Sequence, residues 1–522
     1  MLVLQDKVDT SIAPQPSTDA DVCIIVEGCY PFVSGGVSSW LNWLIRSQPE
    51  LNFAVVAIVN GPGPREPRYQ RPANLSYFDV VNLSDAYILS RRGNVAHTQA
   101  STLGQEIAEA GANLISDGDT RGLDNLLRTI HSHGKKCDLE ALLNSALAWQ
   151  TVQRMYRQLV PQASFLQFFW AWRTLFGGLF RLATCPLPRA RTYHAISTGY
   201  AGLLAARAQR ETGASTIITE HGIYTNERRI DILLADWISD TVEKGLSLED
   251  LTQDVRDIWM KTFEAYAKCA YESATFVTTL FAENQVLQRL HGAQEHKLRI
   301  IPNGIDVASF ADVRSPSPCA RPTVALIGRV VPIKDVKTFI RSVALLRRDI
   351  ENVEALIIGP TDEDELYCQE CRDLVEELRV ADCITFTGLA RITDYLPRIH
   401  VLVLTSFSEA QPLVILEAGA AQIPCVATNV GCCKELLEGA PDEIPALGKG
   451  GLITDAVAPE QTAAAMLHLL SNHGEREAFG AALKARTERY YNAPQAAANY
   501  QALYKEAFAK SARTIKLNVG AC

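Results

Sequence analysis

Long apolar runs are absent from this chain. No stretch of roughly 18 uncharged apolar residues occurs in its 522 residues, so no segment is expected to cross a bilayer as a helix. Residues 1–20, MLVLQDKVDTSIAPQPSTDA, have four apolar residues and then turn polar and proline-containing. They lack the pattern of a secretory signal and read as a disordered tail. Positive charge is not in excess either. A net charge of −9 argues against a nucleic-acid binder, which needs a basic field to displace counterions. No internal repeat of about 20–50 residues is evident, and no GxGxxG follows any candidate strand. The thirteen cysteines form no framework: they are scattered, with Cys23 and Cys425 inside apolar runs, as in a reduced cytoplasmic protein. Cys368 and Cys371 form one CxxC in helical surroundings, where a structural zinc would need four ligands, so they read as one helix face. Cys432 and Cys433 follow Gly431 in a loop and read as matters of backbone shape.

What is present is alternation. Hydrophobic residues make up 47% and charged residues 21%, the balance of a globular chain, and this length holds two to three domains. Strand-like β-branched runs recur: DVCIIVEG (21–28), FAVVAIVN (53–60), RTYHAIS (191–197), STIITEHG (215–222), TFVTTLF, TVALIG, VEALIIGP, CITFTGLA, VLVLTS, PCVATN and GGLITD. Most are followed by a helical pattern, which implies parallel sheets with helices on both faces. Residues 80–160 carry helical periodicity and read as an insertion on the first domain, and 247–272 as a long helical region. Residues 159–182, LVPQASFLQFFWAWRTLFGGLFRL, suit either a helix covering that domain's core or a helix docking on a membrane surface or partner. Gly213 reads as a helix C-cap, Asn303–Gly304 as a turn with Asp306 capping locally, and SPSPCARP (315–322) as a linker.

The chain is organised around residues 401–429, VLVLTSFSEAQPLVILEAGAAQIPCVATN. A strand breaks into the polar loop Thr405–Gln411, restarts as a helix behind Pro412, which suits a first helical turn, and ends in a second strand. Glu409 in the loop and Glu417 in the helix can both reach a ligand at the strand ends. The backbone amides of Gln411, Pro412, Leu413 and Val414 mark a helix N-terminus suited to an anion, with proline contributing no N–H. Hydroxyl acceptors flanking phosphate donors describe a nucleotide-sugar site.

This segment resembles the paired-Glu signature of retaining family-4 glycosyltransferases of the GT-B fold. Four further segments, EGCYPFVSGGVSSW, TEHGIYTNERRIDI, IPNGID and GRVVPIKDVKTF, resemble the PelF branch, the cytosolic glycosyltransferases of Pel-type polysaccharide assembly. The resemblance implies an α/β fold of two Rossmann-like domains whose parallel sheets face across a cleft. An acceptor-side domain is then expected at 21–312, a nucleotide-sugar-binding domain at 313–490, and a C-terminal helix crossing back at 491–522.

Residue by residue, the resemblance makes Arg329 and Lys334 the cations on the donor diphosphate. It gives Glu417 the ribose hydroxyls, Glu409 the hydroxyls of the donor sugar, and His221 a contact with that sugar. Gly35 and Gly36, lacking Cβ atoms, would let backbone N–H groups approach phosphate or the reacting centre. Tyr30 and Phe32 beside them suit either a sugar ring or the core. Glu220, Tyr224, Arg228 and Arg229 would shape the acceptor site, with His194 a weaker candidate. Three positions depart from the wider family: Gln411–Pro412 replaces Phe-Gly, Asp335 replaces Gly, and Gln422 stands where Gly is common. The first two fit the PelF branch.

The implied activity is retaining transfer of a sugar, from a UDP-sugar, to a growing exopolysaccharide, with the departing β-phosphate taking the acceptor proton. Partners would be the UDP-sugar donor, a glycan acceptor and inner-membrane exopolysaccharide components, with residues 159–182 as the contact; no nucleic acid is expected. No obligatory cofactor or metal is expected: the acidic pairs Asp117/Asp119 and Asp362/Asp364 do not follow a strand as a sugar-nucleotide metal site would. Two other readings stay open, a GT-B UDP-sugar epimerase and a non-catalytic UDP-sugar-binding subunit of a membrane synthase.

Overall fold

The computed structural model describes residues 19–33, 35–61, 66–84, 97–118, 120–234, 255–313, 321–441 and 443–519. Most of the N-terminal tail, residues 314–320 of the linker region, Asp119 and residues 247–254 of the long helical region lie outside them. The chain divides into two compact units, Met1–Thr278 with Gln288–Arg299 and Leu503–Cys522, and Thr279–Leu287 with Ile300–Ala502. Along the chain the assignment changes at 278/279, 287/288, 299/300 and 502/503.

In unit 1 the strands β1 (Ala20–Glu27), β2 (Phe53–Val59), β3 (Leu75–Asn82), β4 (Ala190–Ala195), β5 (Ser215–Glu220), β6 (Phe276–Thr279) and β7 (Leu298–Ile300) lie in the order 3-2-1-4-5-6-7. Pairing from β3 through β5 is parallel. Every residue of β2 is buried, as expected of a central strand covered on both faces. β3 was not read from the sequence. It is an edge strand of mixed exposure, LSYFDVVN, without the apolar run that marked its neighbours.

The helices of this unit are α1 (Gly36–Arg46), α2 (His97–Asp117), α3 (Thr120–His133), α4 (Leu139–Asn144), α5 (Ala146–Leu159), α6 (Phe165–Thr184), α7 (Tyr200–Thr212), α8 (Tyr224–Leu234) and α9 (Val255–Ser273). Short α10 (Ala282–Leu290) follows β6. Among the described residues, the insertion between β3 and β4 comprises five α-helices, α2 to α6. Phe168, Trp172, Phe176 and Phe180 recur every fourth residue of α6 and are buried, so the aromatic stretch covers the core for most of its length. Near its start, Leu166 and Trp170 remain exposed.

Unit 2 carries β8 (Thr323–Ile327), β9 (Glu354–Ile358), β10 (Ile384–Gly388), β11 (Val401–Leu404), β12 (Cys425–Thr428) and β13 (Gly451–Thr454), all parallel, in the order 10-9-8-11-12-13. Its helices are α11 (Val336–Leu346), α12 (Glu365–Glu377), α13 (Ile392–Tyr395), α14 (Leu413–Ala420), α15 (Cys433–Glu438), α16 (Pro459–Ser471) and α17 (His473–Tyr490). The final helix, α18 (Ala493–Val519), begins in unit 2 and ends in unit 1.

Successive strand residues alternate between two cores. Ala325, Leu356, Leu402 and Leu404 join one, while Val324, Leu326, Ile357 and Val403 join the other, so both sheet faces are covered. Cys432 and Cys433 depart from the loop reading: they cap and open α15, and both are buried in the first of these cores. Cys368 and Cys371 lie buried on α12 as free thiols.

In both sheets the strand order reverses beside the first strand, at β1/β4 and at β8/β11. Such switch points open a crevice at the carboxyl ends of the strands, where α/β proteins take their ligands.

Candidate functional site

At the β8/β11 switch point two loops are stitched together. Phe407 N donates to Ile333 O at 2.9 Å, and Thr405 Oγ1 donates to the carbonyls of Lys334 and Asp335 at 3.1 and 2.9 Å. These bonds bring the sequence-predicted Lys334 and Glu409 into contact, Nζ to Oε1 at 2.5 Å, with side chains 22% and 11% exposed. Ser406 Oγ donates to the same oxygen at 2.6 Å, and Thr428 Oγ1 holds the Ser406 carbonyl at 2.8 Å. With Oε1 taking both bonds, Oε2 is the oxygen left to accept from a ligand.

Helix α14 starts one residue later than the proline reading had it. Pro412 is the N-cap, with extended backbone, and Leu413 opens the helix. The first amides, of Leu413 and Val414, have no carbonyl four residues back to bond. Gln411, read for its backbone, acts through its side chain: Oε1 accepts from Asn303 N at 2.8 Å and Nε2 donates to Asn303 O at 3.2 Å. The IPNGID turn is thereby fastened to the loop that carries Glu409. Glu417 is the fifth residue of α14, half-buried, and burial raises its carboxyl above the usual range. No hydrogen bond or ion pair is seen between it and the Lys334–Glu409 pair among the described residues.

Arg329 is not drawn into that pair. Its guanidinium, 52% exposed, bonds Glu363 Oε2 at 2.7 Å, which the sequence reading did not anticipate. Asp335 and Gln422, both standing where the wider family has glycine, have φ of 44° and 60°. The left-handed conformation that glycine serves is kept here by other side chains. Asp335 recovers part of that cost by capping α11, its carboxylate accepting from Thr338 N at 3.2 Å.

In unit 1, Gly35 caps α1 in extended backbone that any residue adopts, and Gly36 is its first residue. Both are exposed, and a Cβ at either would meet nothing within 4 Å, so packing does not require glycine there. Four residues on, Trp40 stands edge-on to the His221 ring, centroids 4.4 Å apart. The glycine loop and the end of β5 are therefore neighbours. Burial pushes the His221 imidazole down to about 4, so the ring is neutral near pH 7.

Glu220 is committed internally: it accepts from Tyr271 Oη at 2.5 Å, Gln288 Nε2 at 3.0 Å, Thr198 Oγ1 at 3.1 Å and Tyr224 N at 3.4 Å. His194 is likewise structural, bonded to Tyr504 Oη at 2.8 Å and Thr219 Oγ1 at 2.7 Å, with burial pushing it down to about 3. Both were read as possible acceptor residues, and both are spent inside the unit. Arg228 pairs with Asp231 at 2.9 Å and lies over the Tyr224 ring, while Arg229 is exposed.

Among the described residues no three His, Cys, Asp or Glu side chains gather as a metal site. Asp364 instead caps α12, accepting from Tyr367 N at 2.9 Å. Nor is any described helix long and apolar enough to cross a membrane.

Comparison with known proteins adds a second line. Residues 20–296 match the family described as "Domain of unknown function (DUF3492)", and residues 321–472 match "Glycosyl transferases group 1". A Mycobacterium tuberculosis GDP-mannose-dependent alpha-(1-6)-phosphatidylinositol monomannoside mannosyltransferase is 30% identical over 208 residues, 35% of this chain and 50% of that protein. A Kineococcus radiotolerans D-inositol 3-phosphate glycosyltransferase is 28% identical over 228 residues, 40% of this chain and 52% of that one. The chain thus spans about half the length of these curated relatives. Among solved structures, sucrose-phosphate synthase from Thermosynechococcus elongatus superimposes with a TM-score of 0.55 at 16% identity, covering 94% of this chain and 99% of that one. Anabaena HepE in complex with UDP gives 0.55 at 12% identity, with 93% and 99% covered. The fold is that of the GT-B glycosyltransferases, two Rossmann-like α/β units with parallel sheets.

Proposed function

We propose that this chain, which belongs to the DUF3492 family through residues 20–296 and has a glycosyl transferases group 1 region at residues 321–472, moves a sugar from a nucleotide sugar to a glycan. The observation that carries the reading is the Lys334–Glu409 pair, held at the β8/β11 switch point inside the group 1 region. As the glycosidic bond of the donor breaks, negative charge grows on its diphosphate. Lys334, fixed by the Ile333–Phe407 and Thr405 bonds, is a preorganised cation for that charge, and the first amides of α14 are a second source of stabilisation. Glu409 accepts from donor-sugar hydroxyls through its remaining oxygen, and Glu417 from the ribose. Arg329 joins Lys334 at the diphosphate by exchanging its exposed Glu363 partner for phosphate, a cheap exchange for a surface pair.

The donor is proposed to be UDP-linked and the transfer retaining and metal-independent, with the departing phosphate accepting the acceptor proton. His221 contacts the sugar as a neutral ring, and Gly35 and Gly36 give backbone N–H groups close access to the substrate, which accounts for glycine where packing does not ask for it. The EGCYPFVSGGVSSW and TEHGIYTNERRIDI segments support a PelF-type enzyme extending a Pel-like polysaccharide with inner-membrane partners in the cytoplasm.

Thermal melting with UDP, GDP and ADP tests the donor, since a ligand of the native form raises its melting point. UDP should give the largest shift. A larger shift with GDP would replace the proposed donor, and no shift with any of them would remove the reading. EDTA should leave turnover unchanged; loss restored by Mg²⁺ would overturn metal independence.

A further inference from the structure

The IPNGID turn of unit 2 carries a side chain that the fold does not use. Asn303 is 8% exposed and its Oδ1 is buried, yet no hydrogen-bond donor reaches that oxygen among the described residues. A buried carboxamide end left unpaired costs free energy, which a loose side chain would recover by turning to water. Asn303 is not on a loose segment. Its N–H and C=O are both held by the Gln411 side chain, at 2.8 and 3.2 Å. To either side, Ile301 N donates to Thr279 O at 2.8 Å and Ile305 N to Tyr491 O at 2.9 Å, while Ala493 N donates to Ile305 O at 2.8 Å. Between them, a Cβ at Gly304 would collide with the Asn492 carbonyl. The backbone is thus fixed at every second residue. With both main-chain groups of Asn303 spent, only its carboxamide remains to bond a ligand.

Place and chemistry narrow what that ligand is. Gln411 lies two residues after Glu409 and directly before the N-cap of α14, so one glutamine side chain separates Asn303 from the loop at the β8/β11 switch point. A phosphate oxygen only accepts and could use only the N–H end of a carboxamide. A sugar hydroxyl donates as well and can meet the buried oxygen. The group is neutral, so it adds recognition without adding charge beside the Lys334–Glu409 pair. Polar contacts of this kind discriminate strongly, because a sugar whose hydroxyl points elsewhere leaves the amide unpaired.

We infer that the Asn303 carboxamide is a specificity-determining group that hydrogen-bonds a hydroxyl of the donor sugar beside Glu409. This deepens the transferase reading and rests on it. Asn303 takes no part in bond breaking; it selects and orients the sugar.

Full-length Asn303→Ala is compared with the unaltered chain by calorimetry against UDP, GDP, GDP-mannose and the UDP esters of glucose, galactose, N-acetylglucosamine and N-acetylgalactosamine. The free nucleotides should bind both proteins equally. The ester that the unaltered chain binds best should weaken by about tenfold in the variant, the scale of one hydrogen bond to a neutral group. Melting without nucleotide is the second readout, and a supporting role in the turn would move it. Because Oδ1 takes no bond from the protein, Asn303→Ala should melt no lower than the unaltered chain. A clear fall in melting temperature, or failure of the variant to fold, would show that the carboxamide supports the turn and overturns the inference. Unchanged ester binding, or equal loss of ester and free nucleotide, overturns it too. Failure of the transferase reading shows separately, as an unaltered chain that binds no nucleotide and no ester, and the inference then falls with it.

Discussion

The two switch points treat their polar groups in opposite ways. In unit 2 opposite charges meet in ion pairs: Lys334 with Glu409 at β8/β11, and elsewhere in the unit the buried Arg486 with Glu443, Nε to Oε1 at 2.6 Å. At β1/β4 and along β5 the titratable groups are held by neutral donors. Burial raises Glu27 and Glu220 above the usual carboxylate range and lowers His194 and His221 below the usual imidazole range. The difference teaches what each sheet can handle. A site of paired charge suits a ligand whose own charge changes during reaction, while buried groups held by neutral hydrogen bonds keep the geometry of their sheet fixed.

The sharpest way to break this comparison is through activity. Glu409→Ala should lower sugar transfer by about 10²–10³, the scale of losing one preorganised transition-state contact, in a protein that still folds. Full activity in a folded Glu409→Ala protein would remove unit 2's half of the contrast.

Stability gives the next largest effect. Glu443→Leu leaves Arg486, 1% exposed, buried without its carboxylate and should cost about 3–5 kcal/mol in denaturant unfolding. Glu220→Leu leaves neutral donors unpaired and should cost less, about 1–3 kcal/mol. Equal losses would mean that charge in one unit and neutrality in the other are not the relevant distinction.

Acid offers a third test, of unit 1. The native pKa values of His194 and His221, about 3 and 4, lie below the ordinary 6.5. The unfolded chain therefore binds their protons first, and their contribution, present above pH 6.5, is lost as pH falls toward 4 and then 3. Glu27 and Glu220 have the opposite sign, because their raised carboxyls favour the native state below pH 4.5 and lose that contribution as pH rises through their native values. The stability difference between the protein and its His194→Gln variant should therefore shift against the protein as pH falls from 7 to 4, by on the order of a few kcal/mol. An unchanged slope in that variant would remove His194 from the account.

The smallest effect concerns backbone. Gln422→Gly, which relieves a left-handed φ of 60°, should stabilise unit 2 by about 1 kcal/mol. Asp335→Gly should gain less, since it also deletes the cap on Thr338.

Central strands could be read from the chain because burial on both faces leaves an uninterrupted β-branched run, as in Phe53–Val59. Edge strand β3 could not, because only two of its eight residues are fully buried and no apolar run marks it. The Lys334–Glu409 meeting, 75 residues apart in sequence, was anticipated through motif resemblance; spacing alone carries no such information. Ser406, three residues before Glu409, was visible as a polar loop residue but nothing marked it as the carboxylate's donor. Gln411 was singled out for its amide, whereas its side chain does the work, a distinction that depends on where Asn303 lies in space. Glu220 and His194 looked available because sequence shows polarity and not satisfaction, and their partners come from segments as distant as Gln288 and Tyr504.

Gly178, inside α6, and Gly199, the N-cap of α7, each lie against a tyrosine ring. Neither position owns a side chain, and one added methyl would have to displace the Tyr200 ring at the first or the Tyr224 ring at the second. Exchanging hydrogen for carbon at either position should therefore disturb a residue bonded to Glu27 and lower the stability of unit 1.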